Sequence, residues 1–436
     1  MATVIARDHN RYEVVQVINP DDRVLNVAIS PQLPGEASTS GDAFGRLRVA
    51  QPLTLFDSSH RYADNGLWST STASGGAATF SVNEGLVNLT VDTTSGSKVY
   101  RETKKVFSYQ PGKSLLVLST FVLNPAKTNL RQRVGYFGAA NGMYIELSGS
   151  TLSLVERSSV SGSPLETRVA QADWNVDKLD GTGPSGVVLD ITKAQIFWMD
   201  VEWLGLGTVR LGFVIDGTFV HCHSFNHANF ITATYITTAS LPLRYEIENL
   251  GVTASSSTLK QVCSTVISEG GYELRGAQRA VSTPILTPSS LATAGTYYPV
   301  ISVRLKTSPD RLDAIVILTA LSILGLTNNA TYNWRVVASG TTTGGTWVSA
   351  ATDSAVEYNI TGTSFTTGTG RTLASGFTFG SNQGSAVVDI LKEALFSFQL
   401  ERDSFTSTPF ELTLTAAADI NTAAIHASMD FEEISR

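Results

Sequence analysis

Short apolar runs recur from Leu55 to Gly271, most of them alternating apolar and polar, and each is closed by Gly, Asn, Asp or Ser. They read FSVNEGLVNLTV, KSLLVLSTFVL, RVGYFGAANGMYIEL, STLSLVERS, SGVVLDI, IFWMDVEW, VRLGFVI and GTFVHCHSF. A period of two sends successive side chains to opposite faces of a strand. Turn signals every roughly 8–12 residues suit a sandwich or jelly roll. Asn141-Gly142 is placed to turn a hairpin between GYFGA and MYIEL. Leu204 to Thr208, LGLGT, turns WMDVEW back as VRLGFVI, and Asp216-Gly217 turns it again, which predicts three successive antiparallel strands.

Beyond Gly276 charge falls and Pro284 and Pro288 appear, the marks of a linker. A second series of short runs follows: YPVISVRLK, AIVILTALSIL, YNWRVVAS, AVEYNI, LFSFQLE and PFELTLTAA. The β-branched content and length of IVILTALSILGL favour a buried strand over a helix. The chain closes on an acidic DFEE tail, and no repeat of fixed period is present. Residues 1–55 carry Pro20, Pro31, Pro34 and Pro52 and no sustained period, so they read as an extended arm ordered only against another surface. The expectation is an all-β protein: an N-terminal arm (1–55), a jelly-roll, concanavalin-like sandwich (56–275), a linker (276–290) and a smaller C-terminal β-sandwich (291–436).

Composition sharpens this. Charged residues are 16% of the 436, while Gly, Ser and Thr abound, as in sheets joined by many turns. The net charge of −7, with no basic run, argues against a surface that tracks nucleic-acid phosphates. The N-terminus has no apolar leader core, and no segment offers the ~18 uninterrupted apolar residues of a membrane span. No nucleic-acid or membrane partner is expected. Cys222 and Cys263 have no CxxC spacing and read as neutral thiols. No cofactor is called for.

Four groups of residues are candidates for chemistry. Asp200 and Glu202 lie two apart in an apolar run and therefore on one strand face, as does Trp198. They read as an acid/base pair, as a glycan-contacting set, or as the wet side of a sheet. His221, His223 and His227 are three of six histidines; the first two, two apart, share a strand face, and the third returns from the next loop, which makes them a candidate metal set. Asp173, Asp177 and Asp180 crowd one loop without EF-hand spacing, so they read as calcium ligands or as Asx-turn caps. The aromatic residues Trp68, Tyr136, Tyr144, Trp174, Trp198 and Trp203 read chiefly as core, with sugar stacking as the alternative. No phosphate loop, nucleophile elbow or HExxH is present.

Two resemblances bear on these residues. WMDVE resembles the catalytic strand of laminarinase-like β-glucanases, which place Glu, Asp and Glu at alternate positions. Asp200 then takes the middle position and Glu202 that of the acid/base, but the nucleophile position is Trp198, which cannot attack an anomeric carbon. The resemblance implies the jelly-roll scaffold without the reaction.

The phrases AFGRLRVAQPLTLFDSSHRY (43–62), RQRVGYFGAANGMYIEL (131–147), ADWNVDKLDGTGPSG (172–186), ITKAQIFWMDVEWLGLGTVRLGFVIDG, LRYEIEN and QVCSTVISEGGYE together resemble a module of virion structural proteins in tailed bacteriophages, of the marine and cyanobacterial type. It covers roughly residues 43–280. The resemblance implies a non-enzymatic particle subunit, assembled in the host cytoplasm and located in the virion. A tail, baseplate or fibre-type subunit is expected, with capsid decoration and a glycan-binding or glycan-cleaving adhesin as alternatives. Its partners are other virion proteins, copies of itself (a trimer favoured) and host surface glycan. Around the end of the arm, from Phe44 to Phe56, the candidate docking residues are Phe44, Arg46, Arg48 and Phe56.

Overall fold

The computed structural model describes residues 51–270, 276–368, 370–380 and 399–435, and gives the backbone of strands Thr3–Arg7, Glu13–Ile18, Leu25–Ala28 and Ala386–Val387. Chain contacts divide it into two units, Met1–Gln51 and Pro52–Arg436. The first contains a three-stranded antiparallel sheet in chain order, where the sequence suggested an arm without regular structure. Its runs TVIAR and EVVQVI are short, and the prolines that argued for an arm fall outside them.

The second unit holds two β-sandwiches, and its described residues contain no α-helix. In the first, a seven-stranded sheet runs through Leu165–Ala170, Thr151–Ser158, Gly142–Ser148, Leu130–Phe137, Leu243–Asn249, Lys98–Thr103 and Trp68–Ala73. The facing sheet of eight runs through Thr218–Phe225, Val209–Ile215, Ala194–Val201, Leu115–Val122, Ser257–Ser268, Leu86–Val91 and Ala77–Ser81; Leu53–Ser59 also pairs with Ser257–Ser268. All these ladders are antiparallel, so this is the expected jelly-roll sandwich.

The alternation that marks the strands in the sequence also builds the core. In Leu115–Val122 the residues Leu115, Val117, Ser119 and Phe121 are buried, while Leu116, Leu118, Thr120 and Val122 are half-buried on the outer face. Between the sheets Val117, Phe121, Val134, Phe197, Met199, Leu211 and Tyr245 pack together. Each such side chain contributes about 1.5–3 kcal/mol relative to exposure. Tyr245 crosses the core, and its hydroxyl meets Ser264 Oγ at 2.7 Å.

Asp216 and Gly217, with φ of 50° and 77°, form the expected two-residue hairpin between paired Ile215 and Thr218. Asn141-Gly142 does not. Gly142 already pairs with Phe137, the loop is 138–141, and Asn141 uses its Oδ1 to accept from Ser159 N and Thr237 N. The run SGVVLDI forms no strand either; it carries one bridge, Asp180 to Val188, while Val187, Leu189 and Ile191 pack on the core from a loop.

The second sandwich pairs Ala277–Ser282, Ala423–Ser435, Ile315–Gly325 and Ala386–Val387 in one sheet, with Ser289–Leu291 also on Ala423–Ser435. The other sheet runs Val348–Ser349, Val356–Asn359, Tyr298–Leu305, Glu411–Ala418, Thr331–Thr343 and Ser364–Thr366, with Arg371–Phe379 also on Thr331–Thr343. Ile315–Gly325 is the expected strand. One expectation changes here. The segment read as a linker, 276–290, supplies strand residues to this sandwich, whereas the acidic DFEE stretch lies in the sheet expected at this end, with Glu432 and Glu433 buried. Proline spacing suggested the linker, but Val281 and Leu291 fill this core.

The two sandwiches meet through residues 399–405. Lys105 bridges Asp403 and pairs with Glu401 at 2.9 Å, Gln399 Nε2 donates to Ser108 Oγ at 2.8 Å, and Phe405 packs on Tyr100.

Candidate functional site

Asp200 and Glu202 do share the outer face of the eight-stranded sheet, opposite the core-facing Phe197, Met199 and Val201. Asp200 lies directly across from Arg210 in the ladder and is ion-paired with its guanidinium. The Asp200 side chain is buried, with Oδ1 lacking a hydrogen-bond partner, whereas Arg210 is more than half exposed. Glu202 stands just past the strand end, exposed, and accepts from Thr208 N at 3.3 Å. Both line a cavity of about 610 Å³ together with Tyr109, Lys113, Ser114, Leu204, Thr208 and Arg210. Sequence order hid Arg210 and Tyr109 from the candidate set: Arg210 becomes legible only with the register of the 200/210 hairpin, and Tyr109 enters from a distant loop.

Trp198 is not a glycan platform. It is 6% exposed, covered by Phe219 at 5.6 Å and His221 at 5.9 Å, and its indole N–H donates to Phe213 O. The other aromatic candidates are likewise packed: Trp68, Tyr136, Tyr144 and Trp174 are buried, and Trp203 stands edge-on to Tyr109 at 5.6 Å.

The three histidines do not converge. A β-bulge at Cys222 pairs Gly212 with His221 but Leu211 with His223, so the two rings leave on opposite faces instead of one. His221 Nε2 lies 3.0 Å from Ser224 Oγ, and His223 Nδ1 accepts from Asn175 N at 3.2 Å. His227 stacks on Tyr235 at 3.9 Å with Nε2 2.7 Å from Glu156. Burial opposes protonation of His227, but Glu156 and the Gly207 carbonyl outweigh it and raise its pKa. Among the described residues no group of three His, Cys, Asp or Glu is placed to hold a metal ion. The aspartate loop is capped from within: Asp177 accepts from Leu179 N and Ser185 N, and Asp180 from Thr182 N.

Of the docking residues, Phe44, Arg46 and Arg48 lie outside the described residues. Phe56 is core: it is 6% exposed and packs edge-on to Trp68 at 5.9 Å and against Phe107 at 5.1 Å. The strand Leu53–Ser59 points it inward, so it is not available for docking.

The outer face of the seven-stranded sheet carries a second feature. Three rows of charge cross its strands: Lys98, Glu248 and Arg131; Glu246, Arg133 and Glu146; Glu102 and Arg244. Arg133 Nη2 lies 3.1 Å from Glu246 and 2.5 Å from Glu248, and Arg244 reaches Glu102 and Glu246 at 2.5 Å each. Burial opposes ionisation of Glu246, but Arg244, Arg133 and Lys98 overcome it and hold the carboxyl below its ordinary range. Glu102 goes the other way, because burial outweighs Arg244. RQR and RYEIE show these charges at alternate positions, a signal of one shared face.

No family model matches the chain, and no curated protein does. Among solved structures, it is similar to a Bacillus licheniformis β-glucanase at 11% identity, covering 48% of this chain and 96% of that one with a TM-score of 0.33. Peanut lectin is similar at 9% identity over 50% of this chain and 98% of its own, with a TM-score of 0.29. A carbohydrate esterase from the Shiga toxin-encoding bacteriophage phi24B is similar at 14% identity over 50% and 99%, with a TM-score of 0.30. These are likenesses of sandwich architecture at low identity and carry no chemistry to this chain.

Proposed function

We propose that the protein is a non-enzymatic structural subunit of a tailed-phage particle, in a tail, baseplate or fibre-type appendage. The observation that supports the non-enzymatic part is the state of the Asp200/Glu202 pair. Glycosidic cleavage takes two carboxyl groups about 5–10 Å apart with distinct protonation roles. Here one of the two is ion-paired with Arg210, and the position of a nucleophile is a buried tryptophan. The particle assignment rests on the resemblance of residues 43–280. A chain of β-sandwiches held in one unit suits a role built on shape-complementary contacts. A homotrimer is the assembly proposed, and other virion proteins are its partners.

Immunogold microscopy of intact particles with antibody against residues 280–436 tests this. Gold at the tail or baseplate is expected. Gold over the head moves the subunit to capsid decoration, and absence of the chain from a blot of dissociated particles overturns the proposal.

A further inference from the structure

We infer that the cavity lined by Asp200, Glu202 and Arg210 is a binding site for a neutral saccharide, bound without cleavage. The inference goes beyond the particle-subunit reading and does not depend on it. Its volume, about 610 Å³, lies within the range of roughly 300–1,000 Å³ of small-molecule sites. Its charged lining is balanced in number: two carboxylates, Asp200 and Glu202, and two cations, Lys113 and Arg210. Such a lining has no net field to select an ion, and it offers hydrogen-bond donors and acceptors side by side. A sugar hydroxyl is both donor and acceptor, so a neutral polyol satisfies both kinds of group at once.

Arg210 and Glu202 are the proposed contacts. A guanidinium carries five N–H donors in a fixed fork, and the Asp200 contact engages one nitrogen, Nη2. Asp200 is thus a positioning residue: buried directly opposite in the ladder, it holds the exposed guanidinium over the cavity before any ligand arrives. Glu202, exposed on the same rim, supplies the acceptor. Leu204, 57% exposed, gives an apolar wall for the C–H face of a pyranose. Hydrolysis is not part of the inference, because the carboxylate beside Glu202 is committed to Arg210.

Saturation-transfer NMR on the full chain tests it, with maltotetraose, cellotetraose, laminaritetraose and chitotetraose as the neutral probes and sialyllactose as an acidic one. At least one neutral probe is expected to receive saturation, with no reducing sugar released. Loss of one charged hydrogen-bond partner weakens binding about ten- to a hundredfold. Glu202→Gln and Arg210→Met should each do so, while Trp198→Phe leaves affinity unchanged. Glu202 is exposed, so Glu202→Gln should keep the wild-type melting temperature and report on binding alone. The inference is overturned by no transfer to any neutral probe, by transfer to sialyllactose only, or by binding that survives both rim variants. Each of these outcomes leaves the immunogold result untouched.

Discussion

His60 and His223 show what burial does to a single ring. His60 is 1% exposed with neither ring nitrogen hydrogen-bonded; burial and then Arg101 lower its pKa to about 4, against an opposing pull from Asp64. His223 falls to about 4 through burial and then His221. Both rings are therefore neutral in the folded chain at pH values where the unfolded chain has already taken up protons. Stability from them is complete above the ordinary value of 6.5 and is lost as pH falls from there toward 4. The urea midpoint should drop over that window, and His60→Gln should make the drop shallower. An unchanged slope in that variant would remove His60 from the account. At the same scale, the sequence placed Asp200 and Glu202 on one face correctly. It could not supply Arg210, since a cross-strand partner depends on register rather than on spacing along the chain.

At the scale of the strand, close approach and charge rows govern. A Cβ on Gly212 would sit 2.0 Å from Val220 O and 2.9 Å from Trp198 Nε1. Gly212→Ala should cost about 1–3 kcal/mol through overpacking. It should also shift tryptophan emission to the red as Trp198 is displaced; urea unfolding with fluorescence reads both. On the opposite sheet, Arg133→Met leaves Glu246, Glu248 and Glu146 short of a cation. Breaking a buried pair from one side costs about 3–5 kcal/mol, and the remaining contacts of Glu246 with Arg244 and Lys98 put the expected loss at the lower end. Replacing Arg133 and Glu246 together by apolar residues should recover much of it.

Strand existence was largely legible, because alternation is a local property. The exceptions are instructive. SGVVLDI has the apolar content of a strand but takes the path of a loop closed by Asx turns. The Cys222 bulge, which separates His221 from His223, leaves no mark in composition.

Across the whole molecule, the contact between the sandwiches combines the Phe405–Tyr100 ring contact with polar pairs. Besides the Lys105 contacts, Asp313 accepts from Thr238 at 2.6 Å and Ser404 Oγ donates to the Thr103 carbonyl at 2.6 Å. Part-exposed ion pairs contribute about 0–1 kcal/mol each, so the Lys105–Glu401 pair adds little to the joint. Calorimetry of the wild type should give one transition for the joined sandwiches, and Glu401→Ala with Asp313→Ala, which removes the partners of Lys105 and Thr238, should separate it into two. A single unshifted transition in the double variant would assign the coupling to other contacts.

The sequence by itself determined that this is a β protein of short, turn-bounded strands, that two sandwiches follow the N-terminal region, and, where no bulge intervenes, which side chains share a face. Those properties depend on a period of two and on turn residues, and both act over a few positions. Only the tertiary structure decided the sheet order, the burial of Trp198 and Phe56, the divergence of the three histidines, and the charge rows across the seven-stranded sheet. It also brought Tyr109, Asp200 and Arg210 to one cavity. These depend on register and on contacts between residues far apart in the chain, which no local pattern encodes.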